Sequence, residues 1–397
     1  MAASVKQKVG VVTIVDYTNY GNRLQNYAVQ EILRGLGHDP VTIRNFPITV
    51  TEPRHPWQDV PDAPPVPPQP LADADKGLKG LARRLRRRYA PTGKERARKK
   101  EFADKAGRAA RLVAFSRAHI RETDFTMFRD APAERLDAAF DRLVVGSDQV
   151  WNPMMRKHFD LDFLTFARPE KRISFSASMG VSRIPEASES FYAERLAGFA
   201  HLSVREEAAA AEVRRLTGRD ALVTLDPTQV LETEAWRRLA RPHASRPKGR
   251  YLLTYFLGER TPAYRRLIED VARRSGLEVV HLNDPEMRAL YNADAAEFIG
   301  LIADAALFFT DSFHGVIFSV AFDTPFVSFP RVDERASMSS RLDTLLGTLG
   351  LGHRRYRDDL DAEAVGRMLE PDYADAHAVI AAKRLEALAF LDRALAG

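Results

Sequence analysis

The chain has 397 residues, of which 45% are hydrophobic, so it is long enough for two or three domains with substantial cores. It contains no cysteine, which excludes disulfides, thiolate metal ligands and cysteine nucleophiles. No apolar run approaches the ~20 residues of a membrane-spanning helix, and the polar start lacks the apolar core of a signal peptide. These features favour a cytoplasmic globular protein. The formal net charge of +5 suits an enzyme of anionic substrates only weakly.

The first elements predict a strand–helix–strand unit. Residues 8–15 form an apolar, buried strand, and the turn-rich segment 16–21 leads into a helix that Asn22 caps and Gly37 ends. Residues 40–45 then predict a second strand. This order is typical of α/β proteins with parallel sheets.

An unusual stretch at about 50–100 interrupts this pattern. Residues 53–70 hold eight of the 23 prolines, a density that predicts an extended surface loop. Residues 83–100 hold ten basic residues against Glu95 alone. We expect a solvated helical face, with weak contact to a membrane surface, including the inner face of the cell membrane, left open as an alternative. Only Tyr89 is aromatic, so nucleic acid is not an expected partner.

Strands followed by polar turns recur along the rest of the chain. In the N-terminal half, predicted strands at 140–145, 173–178 and 221–225 precede the segments GSD (146–148), MG (179–180) and DPT (226–228). We interpret the last of these, Asp226-Pro227, as a structural turn. A polar linker at 232–249 separates this series from a second one that runs from 251 to 329. Such recurrence predicts doubly wound parallel sheets.

The sequence therefore predicts an α/β protein with two Rossmann-like, doubly wound parallel-sheet domains. Their predicted ranges are 1–235 and 249–372, and we expect a last helix, 375–397, to pack back on the first domain. Two facing sheets of this kind leave an interdomain cleft lined by the carboxyl ends of strands. Most of the motifs singled out below lie at such strand ends.

The segment 310–315, TDSFHG, lies between an apolar strand and an apolar helix. Strand, polar turn and helix start together form a geometry that binds anions. Gly315 lets the backbone approach a ligand closely, and His314 can carry a proton near neutral pH. One interpretation is therefore a phosphate or carboxylate site beside a proton donor. The other is that Asp311 or Ser312 only caps the helix and His314 packs.

Seven short segments, in order along the chain, resemble the polysaccharide pyruvyl transferase family. They are YGNRLQNYA (20–28), VGSDQVWNP (145–153), SFSASMG (174–180), SVRE (203–206), LDPT (225–228), TDSFHG (310–315) and SRL (340–342). The resemblance covers about 8–351, whereas 50–95 has no counterpart in the family. Met179 stands where a bulkier aromatic residue is common.

The resemblance implies a glycosyltransferase-B-like architecture and transfer of pyruvate from phosphoenolpyruvate to a sugar as a ketal. It implies no metal or organic cofactor. By family motif, Arg205 and His314 are the positions that meet phosphoenolpyruvate. The acceptor would be a sugar in a polymer, in a lipid-linked intermediate or in a smaller glycoside, and an oligomer stays open.

The residues can support roles in that chemistry. We expect Arg205 to fork onto one anionic group, backbone N–H groups from Ser312 to Gly315 to hold phosphate, and His314 to donate a proton or to bind phosphate as an imidazolium. Asp148 is a candidate base, a sugar ligand or a turn carboxylate. Further substrate-binding candidates are Asn22, Arg23, Gln25, Asn26, Ser178, Asp311 and Arg341. Structural roles stay open for several of them: capping for Asn22 and packing for Ser178.

Two other functions stay open at this point. A glycosyltransferase of similar shape would bind the diphosphate of a nucleotide sugar at the same helix start. A non-catalytic binding protein would use the basic stretch as its contact. No GxGxxG or Walker A loop occurs, which argues against use of dinucleotides or ATP.

Overall fold

A computed structural model describes residues 6–47, 92–129, 131–156, 158–332 and 340–397. The proline-rich stretch at 53–70 lies outside the described residues, as does the basic stretch up to 91. The predicted contact of 83–100 with a membrane surface therefore stays a prediction. Among the described residues, no helix is both long and apolar enough to cross a membrane.

Five strands of the N-terminal half form a wholly parallel sheet in the order β3-β2-β1-β4-β5. They are β1 Lys8–Val12, β2 Asp39–Asn45, β3 Glu122–Met127, β4 Arg142–Val145 and β5 Arg172–Ser174. A parallel pair, β6 Ser203–Val204 and β7 Leu222–Val223, continues this sheet through single bridges from Ile173 to His201 and from Ala177 to Val204.

The C-terminal half has a second parallel sheet in the order β11-β10-β8-β9. Its strands are β8 Tyr251–Tyr255, β9 Glu278–His281, β10 Leu307–Thr310 and β11 Phe326–Ser328. Apart from the partly buried Val279, their apolar residues are buried, as expected where helices cover a parallel sheet. The predicted α/β class with two Rossmann-like parallel sheets is confirmed.

Helices connect the strands in both halves. They are α1 Tyr20–Gly35, α2 Gly93–His119, α3 Arg135–Ala139, α4 Pro153–Arg156, α5 Glu189–Ala197, α6 Glu207–Thr217, α7 Pro227–Val230, α8 Thr233–Leu239, α9 Pro262–Ser275, α10 Arg288–Tyr291, α11 Ala295–Ala303, α12 Phe313–Ala321, α13 Ser340–Thr348, α14 Ala362–Gly366 and α15 Ala374–Ala396. Short 3₁₀ turns lie at Asp160–Phe163, Pro169–Lys171, Glu186–Ser188 and Gly352–Arg354.

The start of α1 differs from the prediction. Asn19, not Asn22, is the N-cap, and its side chain accepts the backbone N–H of Asn22 at 3.2 Å. The helix ends at Gly35, and Gly37 follows in a left-handed conformation with φ 90°. Because Asn22 lies inside the first turn, its side chain is available for contacts beyond its own helix.

The two halves pack directly against each other near this helix start. The Tyr20 ring stacks on Phe298 of α11, with centroids 4.5 Å apart and planes 8° from parallel. The Arg108 guanidinium lies over the Tyr20 and Tyr291 rings and donates to the Tyr291 carbonyl at 2.8 Å. These contacts fix the spacing of the two sheets, and with it the shape of the cleft between them.

The last helix, α15, begins on the C-terminal half, where His377 pairs with Asp323, and contacts the N-terminal half farther along. Arg384 donates to the Glu232 carboxylate at 2.7 Å and to the Gln229 carbonyl at 3.3 Å. Farther along, the Phe390 ring meets the edge of the His201 ring. The exact domain boundaries proposed from the sequence stay predictions.

Candidate functional site

A cavity of about 190 Å³ opens where the carboxyl ends of the two sheets face each other. The N-terminal half contributes Asn22 and Asp148 to its wall, and the C-terminal half contributes Ser312, His314 and Arg341. On the same measure one water molecule needs about 10–15 Å³, so a small organic ligand fits. We call this cavity the cleft.

The predicted anion segment forms the C-terminal wall of the cleft. Ser312 is the N-cap of α12, and its hydroxyl accepts the Gly315 N–H at 3.3 Å. The Asp311 carboxylate instead accepts the backbone N–H groups of Leu257 and Gly258, at 2.7 and 2.8 Å. Asp311 thus holds the loop after β8. Two of the N–H groups expected to hold phosphate, those of Ser312 and Gly315, already have partners.

His314 lies at the contact between the two halves. A Cβ built on Gly21 of α1 would lie 2.5 Å from Cγ of the His314 ring, so only glycine lets the ring stand where it does. The Nε2 atom lies 3.8 Å from the Asp226 carboxylate and forms no hydrogen bond within the described part of the chain. Burial lowers the pKa of His314, an effect that the charges of Asp226 and Asp148 oppose. The His314 imidazole of the free protein is therefore neutral at neutral pH.

Arg205 approaches the same carboxylate from the other side. Its Nη1 donates to Asp226 Oδ2 at 2.5 Å, its Nε donates to Glu206 at 3.3 Å, and its guanidinium lies 4.6 Å from the centroid of the Phe313 ring. Burial alone would lower the pKa of Arg205, but the charges of Asp226 and Glu206 raise it above its ordinary value. The guanidinium is therefore charged, and its Nη2 has no hydrogen-bond partner among the residues that the structure describes.

Asp226 is the group that the sequence interpretation missed. It does cap α7, since its Oδ1 accepts the backbone N–H of Thr228 at 3.0 Å. Its Oδ2, however, receives Arg205 and the Ser147 hydroxyl, and it lies nearest to His314. Burial would raise the pKa of Asp226, but Arg205 and the other partners lower it to about 2. The sequence feature that could have indicated a functional role for Asp226 is its position in LDPT, one of the segments that resemble the family, at the end of a strand.

Asp148 lies opposite His314, in the N-terminal wall of the cleft. Its Oδ2 accepts Nδ2 of Asn22 at 3.0 Å, and its backbone is left-handed, with φ 70°. Burial opposes ionisation of this carboxyl, yet the charges of Arg205 and His314 and the Asn22 hydrogen bond lower its pKa. The structure thus presents Asp148 as an ionised carboxylate facing the cavity.

Three neighbours of Asn22 do not line the cleft. Arg23 is fully buried and forms an ion pair with Glu122 at 3.0 Å. Gln25 donates to Thr13 at 2.8 Å and accepts the Ser147 N–H at 3.2 Å, so it supports the loop after β4. These contacts fit a structural role and not the predicted contact with substrate. The third neighbour, Asn26, also has contacts that fit a structural role.

Asn26 is also completely buried, and its Oδ1 accepts the Thr42 hydroxyl of β2 at 2.7 Å. Ser178 is likewise buried and donates to Glu206 at 2.6 Å. Glu206 in turn accepts Nε of Arg205. Ser178 thus contributes indirectly, by holding the carboxylate that holds Arg205.

Arg341 of α13 lines the cleft and lies 5.8 Å from the centroid of the Phe313 ring. With the Gln149 amide oxygen turned toward it, both terminal nitrogens donate at 2.9 Å. Burial and the nearby charge of Arg205 lower the pKa of Arg341 to about 10. Within the described ranges no carboxylate forms an ion pair with it, so its charge is compensated less than that of Arg205.

A model of the polysaccharide pyruvyl transferase family matches residues 19–333. The chain belongs to the polysaccharide pyruvyl transferase family. It is therefore a transferase, and its family acts on saccharide acceptors. A search of the curated proteins gave no match.

Solved structures resemble this pyruvyl transferase family member only distantly. A glycosyltransferase from Rickettsia africae is 11% identical, with a TM-score of 0.42, over 98% of this chain and 99% of that one. A UDP-GlcNAc 2-epimerase from Neisseria meningitidis, bound to UDP-GlcNAc, is 10% identical, with a TM-score of 0.43, over 96% and 100%. We draw nothing about substrates from these likenesses.

A metal centre is not apparent in this pyruvyl transferase family member. In the part of the chain that the structure describes, no three His, Asp or Glu side chains are grouped so that they could hold a metal ion. Among the described residues, the charged or titratable side chains that line the cleft are instead Arg331, Arg341, His314, Asp16, Asp148 and Asp311. The ion pair of Arg205 with Asp226 adjoins His314.

Proposed function

We propose that this protein transfers pyruvate from phosphoenolpyruvate to two hydroxyls of one sugar, forming a cyclic ketal and releasing phosphate. The observation that carries the proposal is the meeting of Arg205 and His314, from opposite halves, at the Asp226 carboxylate beside the cleft. Family membership supports pyruvyl transfer to a saccharide. The donor and the ketal product are our inference from the charges and geometry of the site.

The arginines supply the attraction for an anionic donor. Arg341 is partly buried and has no carboxylate ion pair among the described residues, and Nη2 of the buried Arg205 has no hydrogen-bond partner among them either. A buried charge without a close counterion is costly, so an anionic ligand that replaces the missing partner gains binding free energy. Phosphoenolpyruvate carries two anionic groups, a carboxylate and a phosphate, for two guanidiniums.

His314 is the proposed proton donor. Its protonated ring transfers a proton to the methylene carbon of phosphoenolpyruvate, which makes that carbon a methyl group and leaves C2 cationic. The first sugar hydroxyl then forms a C–O bond to C2. Loss of phosphate breaks the bond between C2 and the phosphate ester oxygen, whose electron pair leaves with the phosphate. The second hydroxyl then forms its own C–O bond to C2 and closes the ring. Each hydroxyl gives up one proton, so one base is needed for each attack.

Asp148 is the proposed base for the sugar hydroxyls. Its carboxylate is ionised, faces the cleft and is held by Asn22, which leaves it able to accept a hydrogen bond from a hydroxyl. Neutral His314, after giving up its proton, is a second base within the same cavity. The two groups can thus serve the two hydroxyl protons in turn.

The test is incubation with phosphoenolpyruvate and a panel of hexosides and N-acetylhexosaminides. We expect phosphate release and an acceptor heavier by pyruvic acid less one water. An enol ether would have the same mass, so proton NMR must show a methyl singlet and no vinyl protons. In deuterated water the new methyl group should carry one deuterium. Consumption of a nucleotide sugar, with phosphoenolpyruvate untouched, would instead identify a glycosyltransferase, and inertness toward every donor would favour a binding protein.

A further inference from the structure

A second cavity, of about 60 Å³, adjoins the cleft, and Phe313 and Arg341 line both. On the measure by which one water takes about 10–15 Å³, this space fits an ion of the size of phosphate. Arg205, Gln229 and Lys383 line this second cavity, whereas His314 lines the cleft. The two groups that meet at Asp226 therefore face different spaces.

Three residues that line the second cavity have buried polar atoms for which the described part of the chain offers no hydrogen-bond partner. They are Nη2 of Arg205, Nε2 of Gln229 and Oε2 of Glu206, on residues that are 6%, 6% and 8% exposed. Buried donors and acceptors are normally paired, because leaving them unpaired costs free energy. Two donors and one acceptor on residues that share one small cavity favour a ligand that can both accept and donate hydrogen bonds.

The charges on the wall indicate what that ligand is. Arg205, Arg341 and Lys383 are cationic, and Asp226 is already engaged by Arg205 and Ser147. The exposed Glu207 also lines the cavity, and Oε1 of Glu206 accepts Ser178. The remaining acceptor, Oε2 of Glu206, would repel an ion without a proton but can accept the O–H of a monoprotonated phosphate.

We propose that the second cavity is the phosphate subsite, which takes the phosphate group of the donor and holds it as monoprotonated phosphate after transfer. The inference rests on the proposed function. It places the phosphate against Arg205, Gln229 and Glu206, and it places the enolpyruvyl carbons and the sugar on the His314 side of Phe313. Arg341, which lines both spaces, contacts the donor at their junction.

Calorimetric titration of the free protein with inorganic phosphate, sulfate and phosphoenolpyruvate tests the subsite. Phosphate should bind about tenfold more tightly than sulfate, since sulfate has no proton to give Glu206 at neutral pH. Gln229→Leu should weaken phosphate and phosphoenolpyruvate about tenfold, because it removes one donor to a charged group. Glu206→Gln should reduce the preference for phosphate over sulfate.

Lys383→Met provides a variant at a partly exposed position of α15, away from the core. It should weaken phosphate binding, whereas Arg393→Met, which removes a charge from an exposed position of the same helix, should not. If Gln229→Leu does not fold, the comparison of Lys383→Met with Arg393→Met tests the subsite. Equal phosphate affinity in the folded variants and the unchanged protein, or no preference over sulfate, would overturn the subsite. Ketal formation by the unchanged protein would then still support the proposed function. If the unchanged protein transfers no pyruvate, the proposed function fails, and the subsite proposal, which rests on it, fails too.

Discussion

Replacing Gly21 with alanine should displace His314 and slow turnover without unfolding the protein. Gly21 belongs to the first turn of α1, whereas His314 begins α12 in the other half. A Cβ at Gly21 would lie 2.5 Å from Cγ and 2.9 Å from Cε1 of the His314 ring, and closer still to Nδ1. Since carbon atoms in contact stand about 3.5–4.0 Å apart, the ring must move by about 1 Å or more.

The expected changes in stability and in rate have separate causes. Alanine is the better helix former by up to about 1 kcal/mol, so α1 itself is not weakened. A misplacement of about 1 Å in a reacting group costs on the order of 100-fold in rate. We therefore expect kcat for pyruvyl transfer to fall about 100-fold, while Tm shifts by no more than a few degrees.

The assay measures ketal formation together with thermal unfolding. Gly35→Ala is the matched control, because it lies in the same helix and a Cβ there meets nothing within 4 Å. In a His314→Ala background the ring is gone, so Gly21→Ala should cause little further loss, a non-additivity that a double-mutant cycle detects. A folded Gly21→Ala protein that turns over like the unchanged enzyme would refute the reasoning.

Three further predictions concern buried charges. Asp226→Asn removes the charge that faces His314 and should lower the free energy of unfolding by about 3 kcal/mol, measured by urea denaturation, as well as kcat. Arg156→Met strands the buried Asp162 carboxylate, now paired at 2.6 Å, and should cost about 3–5 kcal/mol, whereas Arg168→Met at an exposed pair should cost below about 1 kcal/mol. Because the folded pKa of His314 is lowered, the unfolded chain binds the extra proton, so stability should fall as pH drops below about 6.5, and His314→Gln should remove part of that slope.

Much of the site could be predicted because parallel strands share a direction. Asp148, Arg205 and His314 each follow a strand, β4, β6 and β10, and the carboxyl ends of strands in two facing sheets meet at one cleft. The order of the seven matched segments along the chain indicated the family, and most of these segments also lie at strand ends. Position at a strand end is a local property, so one sequence is sufficient to see it.

What could not be predicted depends on packing between distant elements. Asp226 looks like a turn residue because it is one, and only the approach of the two halves adds Arg205 and His314 to its contacts. Arg23 and Asn26 look like ligands at a helix start, but the turn of α1 directs them inward. Their partners lie on strands far along the chain, which helical periodicity does not reveal.

The charges of the site decide when His314 can act. In the empty site the carboxylates of Asp148 and Asp226 face two guanidiniums, of Arg205 and Arg341, and burial keeps the imidazole neutral. One anionic group of the donor at ~3–4 Å from the imidazole contributes a full charge, which outweighs the roughly half charge of the α12 helix start. Donor binding should therefore raise the pKa of His314 and bring in the proton that the methylene carbon needs. Because His314 takes up a proton when the donor binds, donor affinity should increase as pH falls. The free energy of unfolding of the free protein should instead decrease as pH falls, because its folded state does not bind that proton.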